Sequence, residues 1–444
     1  LEARDALQPR AAYLVAYRAA RRFGGESDAA CAIEARRMLG ALDGHRADRA
    51  LLAAIDADPD ADDPSVGLAG DPVRGASEPS DGLEAWAAER SAEGAPSTLQ
   101  SITIYGADDG DAQGVRVVLA LDRVATFERI DLAPEQGMPR RLALDLAGAS
   151  PEDALPSSLT VDAGGLLRVR SARREGGTRV VLDLEEGATA RLFLLPEPYR
   201  IVVDVTRTDP SARLSPGGAP RDVDLILIDP GHGGNDYGAR AFGMQEADVV
   251  LDLALRVREV LRTRLPGVRV VLTRERDVFV SLEQRTAMAN AVAADAFVSI
   301  HLNAADEPVE RGGVTTFVLD TTNDRQALRL AARENGTSVS EVGDLSRILA
   351  GLHRDEQLAA SRGLAERIHR GTLTGGRTIV PRLHDRGVRS AMFYVLVGAS
   401  MPAVLVEASF LSRSDEAAAL RSEVYRQALA DGIAEGVARW ATGS

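Results

Sequence analysis

From Asp222 onward, short apolar stretches alternate with longer stretches of helical periodicity, and this alternation restricts the fold more than any other feature of the chain. Val223 to Asp229, Val268 to Thr273, Ala296 to His301, Gly313 to Leu319 and Pro402 to Glu407 read as buried strands. Asp248 to Leu265, Ser281 to Ala293 and a final stretch from Ser414 to Trp440 read as helices. Strands that lack polar alternation are buried on both faces, so the expectation is an α/β domain over 222–444, with a mostly parallel sheet flanked by helices. Sites in such sheets lie at the carboxyl ends of the strands.

The preceding half has a different organisation, as a chain of 444 residues leads one to expect. Ala6 to Arg22 and Asp28 to Leu42 carry apolar residues at helical spacing around Gly24-Gly25, which predicts a helical hairpin within 1–56. Residues 57–97 shift to Asp, Pro, Gly, Ala, Ser and Glu, with little apolar surface to offset the entropy of ordering, and read as an acidic linker. From 98 to 208 the period becomes two: Val115, Val117, Leu119 and Leu121 alternate with other residues, as do Leu142, Leu144 and Leu146. This region also repeats itself. "VRVVLALDRVATFERIDLAPE" followed by "RRLALDLAG" returns as "TRVVLDLEEGATARLFLLPEP" followed by "YRIVVDVTR". Two such units predict a small all-β sandwich, packed face to face and joined to the next domain by a linker over 209–221.

Composition narrows the partners. The formal charge of −14, with basic residues interspersed among acids, argues against nucleic acid. No apolar run approaches the roughly 20 residues that span a bilayer. Cys31 stands alone, so any metal must be held by His and carboxylates. The chain begins at Leu1, which is compatible with a secretory signal upstream of this sequence.

The first strand of the α/β half, "LILIDPGHGGNDYGA", runs into a loop where Gly231, Gly233 and Gly234 surround His232. Glycines are used where the chain bends sharply or something approaches closely. A lone His at a strand end is usually structural, but here partners exist. "AFVSIHLNA" ends its apolar strand on His301, and Glu246 starts the first helix, whose N-terminus points back toward the strand tips. Taken alone, Glu246 would be good first-turn helix chemistry. Glu407 closes the apolar strand "PAVLVEASF", where an unpaired charge would be costly unless it faced a site. Two His and one Glu with an open fourth position match a catalytic zinc, which acidifies water and polarises a carbonyl. Glu407, its pKa raised by apolar surroundings, can carry the proton from that water to a leaving amine. No HExxH helix is present, so these groups must converge from separate strand ends.

"LIDPGHGGNDYGA", Glu246, "TRERDVFVSLEQRTAMAN", "FVSIHLNA" and "MPAVLVEASFLS" resemble, in order and spacing, the N-acetylmuramoyl-L-alanine amidases of the AmiC type. The resemblance covers Asp222 to Trp440 and implies hydrolysis of the amide between N-acetylmuramic acid and L-alanine in peptidoglycan, for wall remodelling and daughter-cell separation. It carries His232, Glu246 and His301 over as ligands of one zinc ion and Glu407 as the catalytic carboxylate. The doubled β pattern is similar to the AMIN domain, a module that precedes many cell-wall amidases and attaches them to the wall. The chain departs from the family at Leu302-Asn303, where many relatives read Ala-Asp; Asn303 is kept as a substrate-binding candidate only. Arg413 stands where relatives often have Asn.

Between the strand "GGVTTFVLD" and the catalytic strand lies an insertion, 321–400, expected to be helical in Asp324 to Glu334 and Glu341 to Arg370. Division amidases resemble it in carrying a helix that covers the zinc with a Glu, displaced by a LytM-domain activator; Glu334 is that residue by position. An ordinary solvated helix is the alternative. His353, His369 and His384 read as surface residues, and His45 has no partner. The resemblance implies an exported, periplasmic or envelope location. Two other readings stay open on residues alone: a peptidoglycan-binding scaffold with an inactive enzyme half, and a zinc peptidase acting on the stem peptide.

Overall fold

The computed structural model describes residues 81–91, 96–107, 112–135, 137–207, 223–305, 311–340, 342 and 355–444. The expected hairpin at 1–56, with Cys31 and His45, most of the 57–97 linker, the 209–221 linker and His353 lie outside the described residues. One part of the acidic linker is ordered. Helix α1 (Asp81–Arg90) buries Leu83, Trp86 and Ala87, and Trp86 stacks on Tyr199 with centroids 6.3 Å apart. One short apolar face was enough to order it, once a sandwich offered cover.

That sandwich is built from β1 (Ser97–Tyr105), β2 (Gly114–Leu121), β3 (Phe127–Leu132), β4 (Arg140–Ala147), β5 (Ala149–Pro151), β6 (Ser158–Ala163), β7 (Leu166–Arg174), β8 (Gly177–Leu184), β9 (Thr189–Leu195) and β10 (Arg200–Thr206). They form two five-stranded sheets, ordered β5-β1-β2-β10-β9 and β3-β4-β8-β7-β6. The two sequence repeats, β2-β3-β4 and β8-β9-β10, do not each make one sheet. Instead β2 pairs antiparallel with β10, and β4 with β8, so every sheet draws strands from both repeats. The exchange satisfies backbone groups that each repeat alone would leave on an open edge. Leu119, Ile201, Val203, Leu144, Val180 and Leu182 share one core between the sheets.

The second half contains β11 (Leu225–Pro230), β12 (Arg240–Ala241), β13 (Met244–Gln245), α2 (Glu246–Arg264), β14 (Arg269–Leu272), α3 (Leu282–Ala291), β15 (Ala296–Asn303), β16 (Val314–Leu319), α4 (Arg325–Asn335), α5 (Asp355–Arg377), β17 (Asp385–Ala391), a 3-10 turn at Tyr394–Leu396, β18 (Ala403–Phe410), α6 (Ser414–Leu420) and α7 (Glu423–Ala441). Its six-stranded sheet is ordered β14-β11-β15-β18-β16-β17. Every pairing is parallel except β16 with β18, so the sheet is mixed rather than all parallel. The edge strand β17 lies inside the 321–400 insertion, and its sequence DRGVRSA is too polar for hydrophobic periodicity to mark it. In register, Glu407 of β18 is flanked by His301 of β15 on one side and Thr315 of β16 on the other.

The two halves meet over the outer face of the first sheet. Arg116 of β2, only 1% exposed, donates to both carboxylate oxygens of Asp204 on β10 at 2.6 and 2.8 Å. It also donates to the carbonyls of Glu283 on α3 and Val397, while Arg200 reaches the Glu283 carboxylate. On the far side, α5 and α7 cross at a line of glycines. A Cβ on Gly371 would lie 2.1 Å from the Gly432 carbonyl, and one on Gly436 would lie 2.4 Å from the Ile368 Cα. Backbone, not flexible side chain, occupies the space. Gly432→Ala is therefore expected to push the helices apart and lower stability by about 1 to 3 kcal/mol despite the better helix propensity of alanine. Chemical denaturation with an unchanged midpoint would contradict this packing.

Candidate metal centre

The centre is assembled from the ends of β11, β15 and β18 and from the N-terminus of α2. After β11 the chain turns through Gly231 into His232, whose φ of 59° lies in the left-handed region that non-glycine residues rarely occupy. A Cβ on Gly231 would sit 2.4 Å from the His301 ring, and one on Gly238 would meet His232 at 2.5 Å and Glu246 at 2.7 Å. These two glycines are required by close approach.

Each side chain is aimed by a specific bond. His232 Nδ1 is 2.8 Å from Asp236 Oδ2, which leaves Nε2 turned toward the cluster. Glu246, fully buried, accepts from the backbone N–H of Ala239 at 2.8 Å and of Leu302 at 2.9 Å. Its Oε1 is 3.3 Å from His232 Nε2 and 3.2 Å from His301 Nδ1. The two imidazoles stand edge to face with centroids 4.9 Å apart. Ligand atoms of His232, Glu246 and His301 all fall within 4.8 Å of one another.

Glu334, near the end of α4, enters the same cluster. Its Oε2 is 3.3 Å from His232 Nε2 and 3.3 Å from His301 Nδ1, while Oε1 is held by Arg333 at 2.7 Å. Helix α4 is delimited by Asp324, whose carboxylate caps the N–H groups of Gln326 and Ala327, and by Gly336 at φ 65°. Asn335 fastens its last turn to the segment beyond β17, donating to the Met392 carbonyl and accepting from the Tyr394 N–H, both at 2.8 Å. The Glu334 side chain is only 5% exposed, so the solvated-helix alternative does not describe it. Glu407 is fully buried on β18.

Ionisation follows from this crowding. Burial disfavours a charged His232, but Glu246, Asp236 and Glu334 outweigh it and hold the imidazolium far above the ordinary histidine range. Burial is likewise outweighed at His301, which is pushed up to about 9 by Glu246 and Glu334. Glu246 and Glu334 stay ionised well below the ordinary carboxylate range, burial being overcome by the two imidazoles. Glu407 goes the other way: burial pushes it up to about 8, with repulsion from Glu334 and Glu246 adding to it and His301 and Arg333 opposing.

A divalent cation fits these residues. His232 Nε2, Glu334 Oε2 and both Glu407 oxygens are buried side-chain atoms without a hydrogen-bond partner, an arrangement that ordinary cores avoid. Two imidazolium charges now balance the clustered carboxylates, and one dication would supply the same charge while letting both rings act as neutral ligands.

Asn303 ends β15 and is buried, opposite Phe410 in register and two residues beyond His301. His369, read as a surface residue, is buried: α5 lays it against the sheet, 3.3 Å from Thr316 Oγ1 and 2.8 Å from Asp385. His384 is half-buried. Sequence reading missed Asp236, Arg274, Arg285 and Asp229. Asp236 lies four residues after His232 in "HGGND", and the two arginines lie in the "TRERDVFVSLEQR" motif, so the signal was present without an assigned role.

The sequence profile of a family described as N-acetylmuramoyl-L-alanine amidase matches residues 226–439. The chain is 30% identical over 350 residues to the N-acetylmuramoyl-L-alanine amidase AmiC of Neisseria meningitidis, covering 68% of this chain and 82% of that one. It is 29% identical over 338 residues to AmiC of Escherichia coli, covering 74% and 71%. With AmiA of Escherichia coli it shares 33% identity over 223 residues, covering 48% and 74%. Gly231→Ala is expected to displace the His301 ring and weaken divalent-metal binding about 10- to 100-fold, the range seen when ligand support is lost. Competition with a chromophoric chelator measures this, and unchanged affinity would refute the close-approach argument.

Proposed function

This chain belongs to the N-acetylmuramoyl-L-alanine amidase family and hydrolyses the amide bond between N-acetylmuramic acid and L-alanine in peptidoglycan; we propose that it does so with one zinc ion held by His232, Glu246 and His301. The observation that carries the zinc reading is the convergence of those three residues beside buried oxygens and a nitrogen that have no other partner. When bound, zinc supplies Lewis acidity, polarising the scissile carbonyl and acidifying water.

The rest of the chemistry belongs to Glu407. In its ionised form it accepts a proton from the attacking water, whose oxygen bonds to the lactyl carbonyl carbon. It then gives that proton to the alanine nitrogen as the C–N bond breaks, leaving a free lactyl carboxylate and a peptide amine. Burial, which raises the Glu407 carboxyl above the ordinary carboxylate range, suits it to both steps, because a carboxyl raised toward neutral pH binds and releases the proton readily there. Asp236 orients His232 throughout by its bond to Nδ1.

Glu334 acts on this reading as a built-in block. Its carboxylate stands 3.3 Å from both imidazoles, in space that a scissile carbonyl and water would need, and its helix belongs to the insertion. An activator of the LytM type would release it. The doubled β-sandwich serves as an AMIN-like wall-attachment module, and the substrate places the enzyme in the periplasm or cell envelope; no described helix is long and apolar enough to cross a membrane.

Mass spectrometry of digested muropeptides tests the reaction: intact stem peptides should be freed from glycan, with loss of activity on chelation and recovery with zinc. Cut peptides still attached to sugar would point to a zinc peptidase instead. Glu407→Gln should lower kcat at least about 100-fold while leaving zinc content unchanged, and retained turnover would remove it from the mechanism. Glu334→Ala should raise activity in the absence of any activator by about tenfold or more, as expected when the competent state is a minor one. No gain over the unaltered protein would reject the block.

A further inference from the structure

The left-handed backbone of His232 requires an explanation that the zinc ligands themselves do not provide. A non-glycine residue is strained there, at φ 59°, and persists only where surrounding structure enforces it. The enforcing group is visible: Arg285 of α3, 2% exposed, donates Nη2–H to the His232 carbonyl at 2.7 Å and Nη1–H to the Pro230 carbonyl at 2.8 Å. Its Nε donates to the Val280 carbonyl at 3.0 Å, so all three guanidinium nitrogens are engaged. Arg274 completes the grip from the other side, bonding the carbonyls of Pro230 at 3.0 Å and Gly231 at 2.8 Å. Three consecutive carbonyls are therefore held by two buried guanidiniums.

The charge of Arg285 is met by Asp229, fully buried, at 2.7 Å. Asp229 in turn accepts from the hydroxyls of Thr273 at 2.6 Å and Ser299 at 2.7 Å. Thr273 follows β14, Asp229 lies on β11, and Ser299 lies on β15 two residues before His301. The loop thus takes its position from three adjacent strands of the sheet. It has no slack on its outer side, where a Cβ on Gly233 would meet the Val278 carbonyl at 2.4 Å.

We propose that Arg285, with Asp229 as its counter-ion, is a positioning residue that locks the His232 backbone so that Nε2 points into the cluster. This rests on the zinc reading given above. Asp236 sets the ring's face through Nδ1, and Arg285 sets where the ring is attached; both are needed to aim the second nitrogen. Lysine cannot substitute, because a single ammonium does not reproduce a fork that bonds a carboxylate and three carbonyls in fixed directions.

The test uses the full chain with Arg285→Lys and measures zinc affinity by chelator competition, the visible spectrum of the cobalt(II)-substituted protein, and the melting temperature of the metal-free protein. The expected result is zinc binding weakened about 10- to 100-fold with a changed cobalt spectrum, the fold-change typical of lost outer support. Zinc affinity within twofold of the unaltered protein and an unchanged spectrum would overturn the proposal, whatever happens to the melting temperature. Should Arg285→Lys fail to fold, Ser299→Ala decides by removing one bond to Asp229 without touching the loop. It should weaken zinc in the same direction by a smaller factor, and unchanged affinity would overturn the proposal. If the unaltered protein binds no zinc, the functional reading itself fails and takes this inference with it.

Discussion

Three carboxylates and two imidazoles brought together in a nearly dry space set the terms for everything around them. Glu246, Glu334 and Glu407 are each within electrostatic reach of His301, and Glu246 and Glu407 are wholly buried. Such a cluster is stable only with cationic charge inside it, supplied by protons or by a metal, and only if each group is restrained from relaxing outward. Hence the glycines that allow close approach, the backbone N–H groups that hold Glu246, and the arginines that hold the carbonyls of the His232 loop.

The same restraint reaches the insertion and the sandwich. The stretch from Met392 to Gly398 is bonded at one end by Asn335, the neighbour of Glu334, and at the other by Arg116 of the sandwich, which donates to Val397. Gly398, at φ 75°, leaves room for that guanidinium, since a Cβ there would lie 2.2 Å from Nη2. The buried pair of Arg116 with Asp204, opposite each other on adjacent strands of one sheet, contributes little net stability but is costly to break, and it holds the guanidinium where it reaches the Glu283 and Val397 carbonyls of the other half.

Much of the site was legible in residue order. His232 among glycines, His301 and Glu407 ending apolar strands, and Glu246 opening a helix each break a local pattern, and a polar group that interrupts a buried element is visible in one dimension. The roles of the arginines that support them were not, because a basic residue after a strand, such as Arg274, or on a helix, such as Arg285, looks solvated until its carbonyl partners are in place. His369 misled for a related reason: its burial comes from α5 lying on β16 and β17, and β17 itself has no hydrophobic signature.

The sequence by itself determined the alternation of strand and helix, the doubled β pattern, and the prominence of His232, Glu246, His301 and Glu407, which the fold places together, since all of these depend on periodicity or on local interruptions of it. Only tertiary structure decided that the repeats exchange strands between sheets, that β16 runs against β18, and that Glu334 turns into the cluster. Those outcomes depend on hydrogen-bond registers and contacts between residues far apart in the chain, which local propensity does not encode.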